Sequence, residues 1–167
     1  MLLKNKIIFF DLDRTIWNCF DKYNNKIWAK QLIAPYHLVA ENKIIDDVGS
    51  ICQLDIDFMD FINSLNLIDY GFCSNGAILN VDFLEQPSKK LIDLFSIKDY
   101  KYFILQYKIQ SKKQSIEKLF SLQNDVPNVI LVDDDDDVLS TFKNTNITTL
   151  DRKLFKNWKE INEFIRR

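Results

Sequence analysis

The chain has 167 residues, 47% of them apolar and 13% aromatic, enough to build one hydrophobic core and too many for a disordered segment. Its 22 Lys+Arg against 24 Asp+Glu give a formal net charge of −2. That balance disfavours a general binder of nucleic acid or of anionic membranes, either of which needs a concentrated positive surface.

Taken in chain order, the apolar run Ile7–Phe10 reads as a strand, and the aspartates behind it are wrong for a secretory leader. The segment 17–53 breaks the later rhythm with Trp17, Phe20, Tyr23, Trp28, Tyr36 and the single histidine, His37. It reads as a connection packed on the body, or as a flap or minimal cap insertion over one end of a sheet. Phe58, Phe61, Ile62 and Leu65 then share one helical face, and Asp69–Cys73 forms a strand. A helix carries Leu91, Ile92, Leu94 and Phe95, with Pro87 interrupting its approach, and Tyr102–Tyr107 is a strand. Ile116, Leu119 and Phe120 mark a third helix, Val129–Val132 and Ile147–Leu150 two further strands, and Leu154, Phe155, Trp158, Ile161 and Ile165 a terminal helix.

This alternation predicts a single α/β domain over residues 1–167, Rossmann-like, with a parallel sheet flanked by helices on both faces. No run approaches the ~18 apolar residues of a spanning helix. Cys19, Cys52 and Cys73 lack C-x-x-C spacing, so no disulfide framework or zinc site of that kind is expected, and a reducing, cytoplasmic setting is.

In open α/β sheets ligands bind beyond the carboxyl ends of the strands. The residues just past each run are Asp11, Asp13 and Thr15, then Ser74, Asn75 and Gly76, then Lys108, Lys112 and Lys113, and finally Asp133 and Asp134. Carboxylates crowded at one sheet edge resist joint ionisation unless a cation neutralises them. An all-oxygen cluster favours Mg2+, and a metal flanked by Ser and Lys donors suits a phosphoryl group. Ser111-Lys112-Lys113-Gln114 reads as a capping box, placing Lys112 at the first helical position, where an anion is favoured. Lys108 is the alternative. Asp135 to Asp137 read as a solvated helix start.

Asp11-Leu12-Asp13-Arg14-Thr15 resembles the DxDxT signature of the haloacid dehalogenase-like superfamily, and Ser74, a lysine near 112 and Asp133-Asp134 follow in the superfamily's order. The stretches DLDRTIW, KLIDLFSIKDYKYFI and SKKQSIEKL before VDD look more narrowly like its small magnesium-dependent phosphatase branch, which has a small or absent cap. The resemblance covers roughly residues 6 to 165 and implies a phosphomonoesterase working through an aspartyl-phosphate. Asp11 would be the nucleophile and Asp13 the general acid and base, which requires a raised Asp13 pKa and an acid-side optimum. Mg2+ would be held by Asp11, the Asp13 backbone carbonyl, and Asp133 or, as in relatives with a paired Asp-Asp, Asp134. Ser74, Asn75 and Lys112 would bind the phosphoryl oxygens. Arg14 departs from the usual small residue and would contact substrate or leaving group, or else turn to solvent.

A small phosphorylated metabolite or a phosphotyrosine-type compound would be the substrate. The alternatives are a phosphate-binding scaffold module of the same fold, and a nucleic-acid end phosphatase using Lys101, Lys108, Lys112, Lys113 and Lys118 as a basic side.

Overall fold

The computed structural model describes residues 5–167, so the very start of the N-terminal stretch lies outside the described residues. In chain order the elements are β1 (Lys6–Phe10), β2 (Trp17–Phe20), β3 (Lys26–Ile27), β4 (His37–Ala40), β5 (Lys43–Ile45), β6 (Ile51–Leu54), α1 (Phe58–Asn63), β7 (Asp69–Ser74), α2 (Pro87–Leu94), β8 (Tyr102–Leu105), α3 (Lys112–Phe120), β9 (Asn128–Asp133), α4 (Asp136–Ser140), β10 (Thr148–Asp151) and α5 (Trp158–Arg166).

Five strands form a parallel sheet in the order β10-β9-β1-β7-β8. Alternation along β1 divides the core. Ile8 and Phe10 face a layer containing Phe58 and Phe61 of α1, Leu91 and Ile92 of α2, and Trp158, Ile161 and Ile165 of α5. Ile7 and Phe9 face Ile116 and Phe120 of α3, with Phe142. Because helices cover both faces, β1 reads as an unbroken apolar run, as a two-sided buried strand must. Phe10 is the hub of the first layer, with edge-on contacts to Phe58, Phe61 and Trp158 at ring-centroid distances of 5.5, 5.8 and 5.6 Å. Each such aromatic pair adds ~0.5–1.5 kcal/mol beyond its buried area.

From β1 the chain runs outward to β7 and β8, then returns to β9 and β10 on the other side of β1. The strand order therefore reverses between β1 and β9, and a crevice opens at their carboxyl ends. Gly71 lets β8 come close to β7: a Cβ there would lie 2.6 Å from the Tyr102 carbonyl oxygen.

The structure adds to or alters three sequence expectations. The segment 17–53, expected as a packed connection or as a flap or minimal cap insertion, contains, together with Leu54, the strands of a second, antiparallel sheet in the order β3-β2-β6-β5-β4. Its short strands, separated by polar turns, lack the length that marks the other strands, while Cys19, Ile44, Cys52 and Leu54 feed its inner side into the first core layer. Pro87 does not interrupt α2 but occupies its first position, where a missing N–H costs nothing. Leu154 lies in a separate single turn, Arg152–Leu154, and is exposed. The terminal helix starts only at Trp158, where the Asn157 side chain accepts the Glu160 N–H. Among the described residues no helix is long and apolar enough to cross a membrane.

Candidate functional site

Beyond the switch between β1 and β9 lies a cleft of about 500 Å³, lined in part by Asp11, Asp13, Ser74, Lys112, Asp133 and Asp134. Every residue singled out past the strand ends reaches it except Thr15 and Lys113; Arg14, Asn75, Gly76 and Lys108 are on its walls. Thr15 lies beneath, its hydroxyl 3.5 Å from Asp134 Oδ1.

Lys112 is the centre of the floor. The Ser111 hydroxyl accepts the Gln114 N–H at 3.3 Å and starts α3 at Lys112, which is the N-cap half of the expected capping box. The Lys112 Nζ then donates to Asp11 Oδ1 at 2.8 Å and to Asp133 Oδ2 at 2.6 Å, all three side chains being nearly or fully enclosed. Burial pulls the Lys112 pKa down, but Asp11 and Asp133 outweigh it and hold the ammonium more firmly protonated than an ordinary lysine. Burial, and then the Asp11 carboxylate, push Asp133 well above the usual carboxylate range against the pull of Lys112. One ammonium cannot neutralise two buried carboxylates. Lys108, the alternative lysine, is exposed at the rim.

Carboxylate oxygens of Asp11, Asp133 and Asp134 lie within 4.8 Å of one another, a group that could hold a metal ion. The donors are all hard oxygens with excess negative charge, which fits a hard divalent cation. Asp133 is already committed, its Oδ1 to the Asp135 N–H at 3.0 Å and its Oδ2 to Lys112. Asp134 is half-buried, its side-chain partner among the described residues is the distant Thr15 hydroxyl, and its pKa is raised by burial and by Asp11. Asp135 instead caps α4, accepting the Asp137 and Val138 N–H groups.

Asp13 is built differently. Its Oδ1 accepts the Trp17 indole N–H at 3.0 Å and the Ala29 backbone N–H at 2.9 Å. Its Oδ2 faces Gly76, where a Cβ would lie 3.6 Å away, with the Ser74 and Ser88 hydroxyls each 3.5 Å from the same point. Burial dominates and raises the Asp13 pKa to about 6; Asp11 adds to the rise, while Ala29, Trp17 and Arg14 oppose it.

Several of these groups escaped sequence reasoning. The Ala29 donor is a backbone N–H and has no side-chain signature. Trp17 has the apolar bulk of a packing residue; it is fully buried and also a donor. Gln106 holds Asn75, donating from Nε2 to Asn75 Oδ1 at 2.9 Å. Of the lysines that would make a basic side for a nucleic acid, Lys108 and Lys112 line the cleft, and Lys101 and Lys113 do not. Lys101 pairs with Asp69 at the start of β7, the opposite end of that strand from Ser74, and Lys113 lines a separate depression beside Phe120.

Comparison with known protein families and with curated proteins finds no match to this chain.

Proposed function

We propose that the protein is a Mg2+-dependent phosphomonoester hydrolase of the haloacid dehalogenase-like kind, acting through a phosphate bound covalently to Asp11. The observation that carries this reading is the division of labour between two nearby carboxylates. Both are buried, but Asp11 is held against Lys112, whereas Asp13 has its pKa raised to about 6 and its Oδ2 without a hydrogen bond among the described residues. A carboxylate held beside an ammonium and a second one that keeps its proton are the nucleophile and the acid this chemistry needs. The order of DxDxT, Ser74, Lys112 and Asp133-Asp134 supports the same assignment.

Asp11 would attack phosphorus in line with the leaving oxygen. Ser74 and Lys112 would hold the non-bridging oxygens, with Asn75 at their side. Asp13, protonated through Oδ2, would give its proton to the departing oxygen and then take one from the water that hydrolyses the acyl phosphate. The Asp11 carboxylate, the Asp13 carbonyl and Asp134 would hold the metal ion, Asp134 being preferred to Asp133 because its oxygens are less engaged. When bound, Mg2+ supplies charge neutralisation for the carboxylates and the phosphoryl group. Substrates in keeping with the cleft are small phosphorylated metabolites or phosphotyrosine-type esters.

The test is phosphate release from a panel of phosphomonoesters, with Mg2+ or with EDTA, by the natural chain and by Asp11→Asn. Metal-dependent release that the substitution abolishes is expected. Activity that survives Asp11→Asn rejects the nucleophile, and a folded protein inactive on every ester points to a phosphate-binding module of the same fold.

A further inference from the structure

Arg14 is the residue of the cleft whose binding capacity is least used. Its φ of 64° places it in the left-handed region, a conformation costly for a side chain this large. The turn is held by the Arg14 N–H, which donates to the Trp17 carbonyl at 2.7 Å. The guanidinium carbon lies over the Trp28 ring, 4.0 Å from its centroid. Trp28 is held in turn by its own N–H donating to Gln31 Oε1 at 2.8 Å, in the tight turn whose Ala29 N–H binds Asp13. The acid of the site and the platform under Arg14 are thus parts of one small unit.

Among the described residues the Arg14 side chain makes no ion pair and no hydrogen bond; its guanidinium meets the Trp28 ring. Lys30 and Lys108 on the same cleft also lack a carboxylate partner among the described residues. The floor groups Lys112, Asp11 and Ser74 are buried, whereas Arg14 is exposed beside Asp13, outboard of where a phosphoryl group would sit and next to where the leaving oxygen would receive its proton. A guanidinium resting over an aromatic ring keeps its N–H groups available for a carboxylate or phosphate and loses less freedom when it pairs.

We infer that Arg14, braced on Trp28, recognises a second anionic group on the leaving part of the substrate, so that the preferred substrates are phosphomonoesters that also carry a carboxylate or a second phosphate. This rests on the hydrolytic reading for its biological meaning; the recognition itself can be measured without turnover.

Calorimetric titrations with benzylphosphonate, 4-carboxybenzylphosphonate and 1,4-xylylenediphosphonate, with Mg2+ present, compare one anion with two. The natural chain is expected to bind at least one doubly anionic ligand about tenfold or more tightly than benzylphosphonate, as befits a charge-assisted pair. The two doubly anionic ligands tell a carboxylate from a phosphate. Arg14→Met removes that preference, whatever it does to the affinity for all three, and Arg14→Lys restores part of it. A merely structural defect lowers all affinities together and leaves the ratio intact. Equal affinities in the natural chain, a ratio unchanged in Arg14→Met, or no binding of any of the three overturns the inference. Release of phosphate from phenyl phosphate and 4-carboxyphenyl phosphate is measured alongside. Differential binding without hydrolysis sinks the hydrolytic reading alone, and hydrolysis without the ratio sinks the inference alone.

Discussion

The indole N–H of Trp17 donates to Oδ1 of Asp13 at 3.0 Å, a bond made inside the protein between residues four apart in the chain. It favours the ionised carboxylate, against the burial that raises the Asp13 pKa to about 6. Trp17→Phe keeps most of the packing and removes the donor, so Asp13 must hold its proton to still higher pH. If Asp13 is the general acid, the alkaline limb of the pH–rate profile moves upward by about one pH unit. A limb that stays in place would dissociate Asp13 from proton transfer.

The same shift has a consequence for stability. The folded protein holds the Asp13 proton up to about pH 6, while the unfolded chain releases it near 3.8. Between those values the native state binds more protons, so stability falls as pH rises and levels off above about 6. The contribution is at most about 3 kcal/mol. Urea unfolding in EDTA at several pH values checks it: Asp13→Asn flattens this part of the profile relative to the natural chain.

Removing the ammonium of Lys112 leaves the Asp11 and Asp133 carboxylates facing each other with no cation between them. Lys112→Met is expected to cost about 3 kcal/mol or more in EDTA, the usual penalty for an uncompensated buried charge. Added Mg2+ narrows the difference, since a cation near Asp11 and Asp133 replaces part of the lost charge. A loss unaffected by the ion would mean that the carboxylates and the metal do not share a site.

Metal binding itself is measured as a rise in stability. At about 100 times its dissociation constant an ion that binds only the folded chain adds about 2.7 kcal/mol. Asp134→Asn, which removes the least engaged carboxylate of the Asp11, Asp133 and Asp134 group, should lose most of that increment. Its stability in EDTA should not fall. An increment equal to that of the natural chain assigns the ion elsewhere.

Gly71 tests the register of β7 against β8. A Cβ there meets the Tyr102 carbonyl oxygen at 2.6 Å, backbone that cannot swing aside. Gly71→Ala is expected to destabilise by about 1–3 kcal/mol, read from the denaturant midpoint.

Much of the arrangement was legible without coordinates. The unbroken run at Ile7–Phe10 and the helical spacing of Phe58, Phe61, Ile62 and Leu65 come from local rules of period, and each matches an element of the structure, except that α1 ends before Leu65. The capping pattern at Ser111 put Lys112 at the start of α3 for the same local reason. Strands shorter than the period can reveal, such as Lys26–Ile27, left the second sheet invisible, and Leu154 looked helical only because its apolar side chain fell at a plausible spacing.

The primary sequence by itself determined which acids, hydroxyls and ammonium groups end the strands of a two-faced sheet, because alternation and capping act within a few residues. Only the tertiary structure decided how those groups differ from one another. Two aspartates with identical side chains, Asp11 and Asp13, part company because one meets Lys112 from 101 positions away and the other meets a backbone N–H from 16 positions away. A peptide group donates from almost any residue, so no letter in the sequence announces it, and burial, which sets the strength of both contacts, belongs to the whole fold.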